Sequence, residues 1–312
     1  MLRRHGLQLL RLALGLGILA WVVRRVSLER LAAFPWRDID PLWLLAAFVF
    51  GGLSVLGWAG RWWWFTRVYD LRPSFARLLR LTFYADFFNL YFLGPLGADG
   101  IRLLHLSRDY PDRRGAVLGS LLLDHVGGLA GGIALYLGFS RTGVLPHSIV
   151  SAADQMLPWI AGVTFLGLGV LMEPPIQRLM ARTPGLRRLA HWMRPVFAGT
   201  FRHPWLFAGF AVSALSTASA FAAFWAAARA VGCQVSLPTV LGLMPVVDLI
   251  ASLPISLSGI GVREGLLVEL LGSQPGCDPA SALAASLLGF AAIGLWGLLG
   301  GVALLVSSRK GL

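Results

Sequence analysis

Charge is what this sequence has least of. Only 13% of its 312 residues are Asp, Glu, Lys or Arg, and 56% are hydrophobic. A soluble globular domain carries about 25% charged residues, so a water-borne fold is excluded. Lysine is almost missing: Lys310 stands alone among 27 basic residues. Arg-for-Lys bias of that kind reflects composition and carries little functional information. Cysteine is scarce too, and Cys233 and Cys277 alone exclude a disulfide framework or a paired CxxC metal site. No HExxH, G-x-x-x-x-G-K-[ST], GxSxG or dinucleotide fingerprint occurs. "GIGVREG" is glycine-rich but lacks a soluble strand–helix setting. Neither catalysis, a metal nor a cofactor is expected.

What the chain has in quantity is long uncharged runs. Residues 42–60, 155–172, 204–228 and 279–308 each approach or exceed the roughly 20 residues that cross a hydrocarbon core. Residues 115–140 do so with one interruption, Asp124–His125. Residues 7–23 form a shorter run containing Arg11, with the basic start "MLRRHG" of a secretory signal. Arg24–Arg25 follow it directly without a small-residue cleavage site, so it reads as a retained first helix. Six spans result. The net charge of +12 then belongs to membrane flanks and anionic headgroups. Nucleic acid is excluded, because a soluble basic domain has no room here.

Arginine placement orients the chain, since cytoplasmic loops hold the basic excess. With both termini inside, the loops 61–80, 102–114 and 173–203 are basic and cytoplasmic, as is the tail with Arg309 and Lys310. The 24–41 loop, with four Arg offset by Glu29, Asp38 and Asp40, fits least well. This assignment leaves 81–96 and 239–271 entering and leaving on one side. Each is expected to be re-entrant, two short helices around a break. The breakers are Gly94, Pro95, Gly97 and Gly100 in the first, and Pro254, Gly259, Gly261 and Gly265 in the second. Irregular backbone at membrane depth is tolerated only under protein cover or along a wet cavity.

A shift of 161 residues lays "GADGIRLL" (97–104) on "SGIGVREG" (258–265), matching Gly100 and Arg102 with Gly261 and Arg263. The same shift superposes 42–60 on 203–221, 81–96 on 242–257, and 115–138 on 276–299. Three spans and one re-entrant element per half (about 1–150 and 151–312) make an inverted repeat within a single membrane domain. Paired, Gly/Pro-interrupted segments point to a transporter site near the midplane.

An Asp or Arg at helix centre costs about 2.5–3.5 kcal/mol on insertion scales. Asp86, Asp99, Arg102, Asp124, His125, Asp248, Arg263 and Glu264 therefore call for explanation. Arg102 and Arg263, just past the breaks, suit bidentate binding of phosphate, aided by the starts of short helices. Glu264, Asp124 and Asp248 are candidate counter-charges, Glu264 that of Arg263. Asp124, His125 and Asp248 are candidates for ion coupling. A second reading has these charges pairing only with one another to fix the hairpins. Asp124 and His125 point about 100° apart on a helix, so they cannot face one ligand together. "RWWWF" (61–65) reads as an interfacial aromatic belt, and 176–196 as an interfacial amphipathic helix. Cys233 and Cys277 fall in outside loops, where either a disulfide or two free thiols fit.

"NLYFLGPLGADGIRLLHLSRD" (89–109), "GSLLLDHVGGLAG" (119–131) and "LPISLSGIGVREGLLVELL" (253–271) resemble the three signature blocks of the lysylphosphatidylglycerol synthase transmembrane family, a flippase-like membrane domain. The third block is nearest, at Pro254, Gly259, Gly261, Val262, Arg263 and Glu264. The first carries over Asn89, Pro95, Gly97, Asp99 and Arg102. The second departs: Asp124–His125 stands where the family usually has Glu-Arg, trading a permanent cation for a titratable one. The resemblance implies translocation of a phospholipid or related polar lipid. The soluble aminoacyltransferase domain of the bifunctional members is not found in these residues, so synthase activity is not expected.

The expectation is an all-α polytopic protein of a bacterial-type inner membrane, with about six transmembrane helices and two re-entrant broken-helix elements. It binds an anionic or phosphate-bearing lipid through Arg102, Arg263, Asn89 and Asp99, while alternating opening of the two halves moves the headgroup. Its partners are membrane lipids and, in an alternative reading, a separate lipid-modifying enzyme to which this chain is accessory. A membrane enzyme on lipid-linked substrates is the other alternative.

Overall fold

The structure is a computed structural model describing residues 13–14, 16–24, 34–89, 94–140, 150–151, 154–155, 159, 182, 203–253 and 255–308. All regular structure among them is helical. Helix α1 spans Pro41–Val68, α2 Phe75–Phe88, α3 Gly94–Asp109 and α4 Arg114–Phe139; α5 spans Pro204–Ala230, α6 Leu237–Ala251, α7 Val262–Leu270 and α8 Pro279–Ser308. Four segments are long and apolar enough to cross a membrane: Pro41–Val68, Pro111–Phe139, Pro204–Ala230 and Pro279–Val302. Residues 16–24 of the first expected span are helical. The expected span 155–172 and the amphipathic segment 176–196 lie, but for single residues, outside the described residues.

Local sequence sets the helix boundaries. Asp40 caps α1 by accepting from the Leu42 amide at 2.8 Å, and Pro41 occupies the first turn, where its missing N–H costs nothing. The Ser74 side chain accepts from Arg77 N, and Ser236 from Thr239 N, the usual N-cap chemistry. After α1 and α5 the chain turns through positive φ, at Asp70 (51°) and Gly232 (85°).

Each half repeats one order: long helix, short helix, break, short helix, long helix. The two short helices form a hairpin closed at its base. In the first, Arg77 Nε donates to Asp109 Oδ2 at 2.9 Å, and Arg113 Nη2 donates to the Tyr69 carbonyl at 2.7 Å. In the second, a disulfide joins Cys233 to Cys277, and the Gln234 amide donates to the Gly276 carbonyl at 2.9 Å. Of the two states open to these cysteines, the structure has the disulfide.

The halves interlock. Helices α1 and α5 run antiparallel: the Asp40 amide donates to the Ala230 carbonyl at 3.0 Å, and Trp64 stacks on Trp205 at the other end. Gly57 permits the close crossing, since a Cβ there would lie 2.5 Å from Ser216 Cβ. Helix α4 packs on α6, and α8 packs on α2, so each half's last long helix covers the other half's hairpin. Exchanging the halves maps these packing pairs onto one another.

Three expectations change. Helix α1 does not stop at residue 60 but runs through "RWWWF" to Val68, and Trp62 and Phe65 are fully buried in the core rather than lying in an interfacial belt. Pro95, Gly97 and Gly100 lie within α3 rather than in an open turn, a proline near a helix start being well tolerated. In the second hairpin Gly259 and Gly261 do sit at the break, whereas Gly265 lies within α7. Gly259 (75°) and Gly261 (84°) adopt positive φ, as does Ser258 (52°), while Pro254 lies outside the described residues.

Candidate functional site

Asp124 on α4 is 1% exposed, and two arginines meet it. Arg61 Nε on α1 donates to Oδ1 at 2.6 Å, and Arg102 Nη1 on α3 donates to Oδ2 at 3.2 Å. Asp86 on α2 lies 4.0 Å from Arg102 Nη2. The Arg102 guanidinium sits over the Trp62 ring, 5.4 Å from its centroid, and the Trp62 indole donates to Ser120 Oγ at 3.1 Å. Four helices thus converge on two cations and two carboxylates. Desolvated charges persist together only when paired and hydrogen-bonded in this way.

One turn-face away on α4, His125 points elsewhere, as the 100° step of a helix requires. Its side chain is 56% exposed and makes a 2.7 Å contact through Nε2 with Asp99 Oδ2 on α3. Asp124 and His125 therefore belong to different sites, and Asp99 is a partner of His125.

The tips of the two hairpins touch. Ser258 Oγ, in the break before α7, donates to the carbonyl of Asn89 at the end of α2, at 3.0 Å. Arg263, in the first turn of α7, donates from Nη2 to the Ser258 carbonyl at 3.3 Å. Its guanidinium lies 4.9 Å from the Phe290 ring centroid and 5.9 Å from that of Phe224. Buried Arg263 Nη1 has no hydrogen-bond partner, and neither has buried Asn89 Oδ1. Exposed Asp248 on α6 acts on Arg263 through space without forming an ion pair among the described residues.

Glu264 does not serve as the expected counter-charge of Arg263. It accepts from the Gly261 amide across the start of α7, the return half of a capping box, and from Ser286 Oγ at 3.2 Å. The 264–286 contact spans 22 residues, as does the 102–124 contact. Ser74 with Ser236, and Asp70 with Gly232, give that same offset of 162 residues. Structural equivalence thus runs one residue beyond the sequence match. At that offset Arg102 falls on Glu264, Asp124 on Ser286 and Asp86 on Asp248, so among the described residues the buried ion cluster has no counterpart at those positions.

Arg61 was not singled out in the sequence, where it reads as the first residue of a basic loop. The usable signal was Asp124: a carboxylate in mid-span calls for a cation, and Arg61 ends the run on the neighbouring long helix.

The description "Lysylphosphatidylglycerol synthase TM region" matches residues 8–301. The chain belongs to this family. No match is found among curated proteins. Membrane regions of the lysylphosphatidylglycerol synthase family are linked to lipid modification and flipping. The match takes in α1 to α7 and most of α8, including both hairpins with Arg102 and Arg263.

Proposed function

We propose that this protein translocates a phospholipid or other phosphate-bearing polar lipid, with the headgroup held where the two hairpin tips meet. The observation that carries the reading is Arg263: a guanidinium beside the Asn89–Ser258 contact, with one nitrogen unpartnered and no carboxylate in ion-pair reach among the described residues. A buried cation without an ionic partner is costly, and an anionic headgroup supplies one. Arg102, by contrast, is already neutralised by Asp124, so it shapes the site and Arg263 receives the ligand. Asn89 offers the second polar group, while the tails remain in lipid.

In this reading the hairpins are re-entrant and the halves form an inverted repeat. The antiparallel α1–α5 pair, the closed hairpin bases and the exchangeable packing pairs support that geometry. A disulfide at the base of the second hairpin suits an oxidising outer face, in keeping with cytoplasmic termini and an inner-membrane location.

The test is outer-leaflet exposure of labelled phosphatidylglycerol and phosphatidylethanolamine in proteoliposomes. Arg263→Ala is expected to slow exposure roughly ten- to hundredfold, the worth of a charged hydrogen bond, and Arg263→Lys to slow it less. Wild-type rates equal to those of protein-free vesicles, over a panel of headgroups, would sink the proposal. Chemical conversion of the lipid would favour an enzyme, and normal rates in Arg263→Ala an accessory role.

A further inference from the structure

An exposed histidine in mid-span is unusual on its own terms. His125 lies near the middle of Pro111–Phe139, a depth at which ionisable groups mark ion pathways and proton relays. Its Nε2 contacts Asp99 Oδ2 at 2.7 Å, and that bond is the tie between the tip half of α3 and α4 on this face. More than half of the histidine side chain is left uncovered by the described residues. Asp124, its neighbour in sequence, is closed off and shared by two guanidiniums. The scaffold does not demand the pair: at the equivalent positions the second half has Gly261 and Leu287.

From this geometry we propose that Asp99–His125 is a proton-binding latch whose opening is the proton-linked step of lipid movement. The proposal rests on the translocation reading above. With a proton on each ring nitrogen, His125 forms an ion pair with Asp99 and ties α3 to α4. When the proton leaves, the attraction between opposite charges is lost and only a hydrogen bond between neutral imidazole and the Asp99 carboxylate remains, so the start of α3 is held less firmly relative to Arg263 and the opposing tip. Imidazole is the side chain that makes such a change near neutral pH.

Among the described residues the charged groups acting on the latch are few. Asp99 and Arg102 face it from α3, and Asp124 from its own helix. Arg61 on α1 and Asp86 on α2 act through their contacts with Asp124 and Arg102. Helix α5 has only Arg229, near its far end, and α6 has only Asp248. Asp124, Asp86, Arg61 and Arg102 form a compensated group, leaving Asp99 as the dominant partner.

Two measurements test this in vesicles of phosphatidylethanolamine and phosphatidylglycerol. Both native cysteines are in the disulfide, so Leu104→Cys and Leu137→Cys, at exposed positions on α3 and α4, accept spin labels cleanly. Their separation is expected to lengthen between about pH 5 and about pH 8 in the wild-type background. It is expected to stay fixed in His125→Arg, whose charge does not titrate. In the transport assay, a pH difference should bias the leaflet distribution of labelled lipid by up to about tenfold per unit, the limit for one proton per lipid. His125→Arg, whose latch does not open, should lose that bias and slow lipid exposure as well. A separation insensitive to pH in wild type, or a bias retained in His125→Arg, overturns the latch. If the separation follows pH but no lipid moves, the latch stands and the translocation reading falls.

Discussion

Replacing Asp124 by Asn should unfold this protein more readily than any other single change in the first half. The carboxylate is 1% exposed and, among the described residues, is the one close anion for Arg61, while Arg102 has Asp86 besides, at 4.0 Å. Removing one partner of a buried pair costs about 3–5 kcal/mol, because the remaining charge is left uncompensated. Here two cations lose their shared partner, and Asn offers one carbonyl oxygen for two donors, so the loss belongs at about 5 kcal/mol. That is a large part of the roughly 5–15 kcal/mol that holds a typical domain. The assay is reversible unfolding in mixed micelles, followed by tryptophan emission, with Trp62 beside the cluster as reporter. A double-mutant cycle isolates the pair: Arg61→Met should cost several kcal/mol alone, but much less once Asp124 is already Asn, giving a coupling of about 1–3 kcal/mol. A loss below about 1 kcal/mol for Asp124→Asn, with additive effects in the cycle, would refute the idea that this cluster joins the four helices.

Cys233→Ser should lower stability by at most about 4 kcal/mol, the chain-entropy limit for a loop of this length, and reductant should reproduce the loss in wild type but not in the variant. Gly57→Val places a side chain against Ser216, with a Cβ only 3.1 Å from Ser216 Cα; forcing α1 from α5 should cost about 1–3 kcal/mol in thermal unfolding. Asp278 caps α8 through the Ala280 and Ser281 amides, and Asp278→Asn should cost little, whereas Asp278→Ala should lose about 1 kcal/mol. Partial burial raises the Asp278 carboxyl, but the hydroxyl and amide of Ser281 and the Ala280 amide outweigh it and hold it below its ordinary value. Its contribution is thus complete above the unfolded carboxylate range and fades as pH falls through the lower folded value; a cap unaffected by acid titration would contradict this.

Much of this architecture is legible in the sequence, because hydropathy and helix breakers act locally. The run at 204–228 becomes Pro204–Ala230, and the run at 279–308 becomes Pro279–Ser308. The first long helix shows where such reading stops. Arg61 ends the apolar run at 42–60, yet its charge is cancelled by a residue 63 positions away, so the helix continues through two turns that hydropathy treats as loop. Glu264 errs in the opposite direction. Its neighbour Arg263 suggests an ion pair, but the third position after a glycine helix start is where a capping carboxylate belongs. That pattern was present in "GVRE" and was masked by the more obvious opposite charges. Asp99 and His125 are separated by 26 residues, and only the fold of α3 against α4 brings them together.

The crossed packing of α4 on α6 and α8 on α2 bears on what moves. If each repeat were a rigid lobe, rocking one against the other would pull every hairpin from its cover. Helices α1, α4, α5 and α8 frame the hairpins, each of which is closed at its base and meets the other at its tip. Chain order makes the two lobes; side-chain packing laces them together.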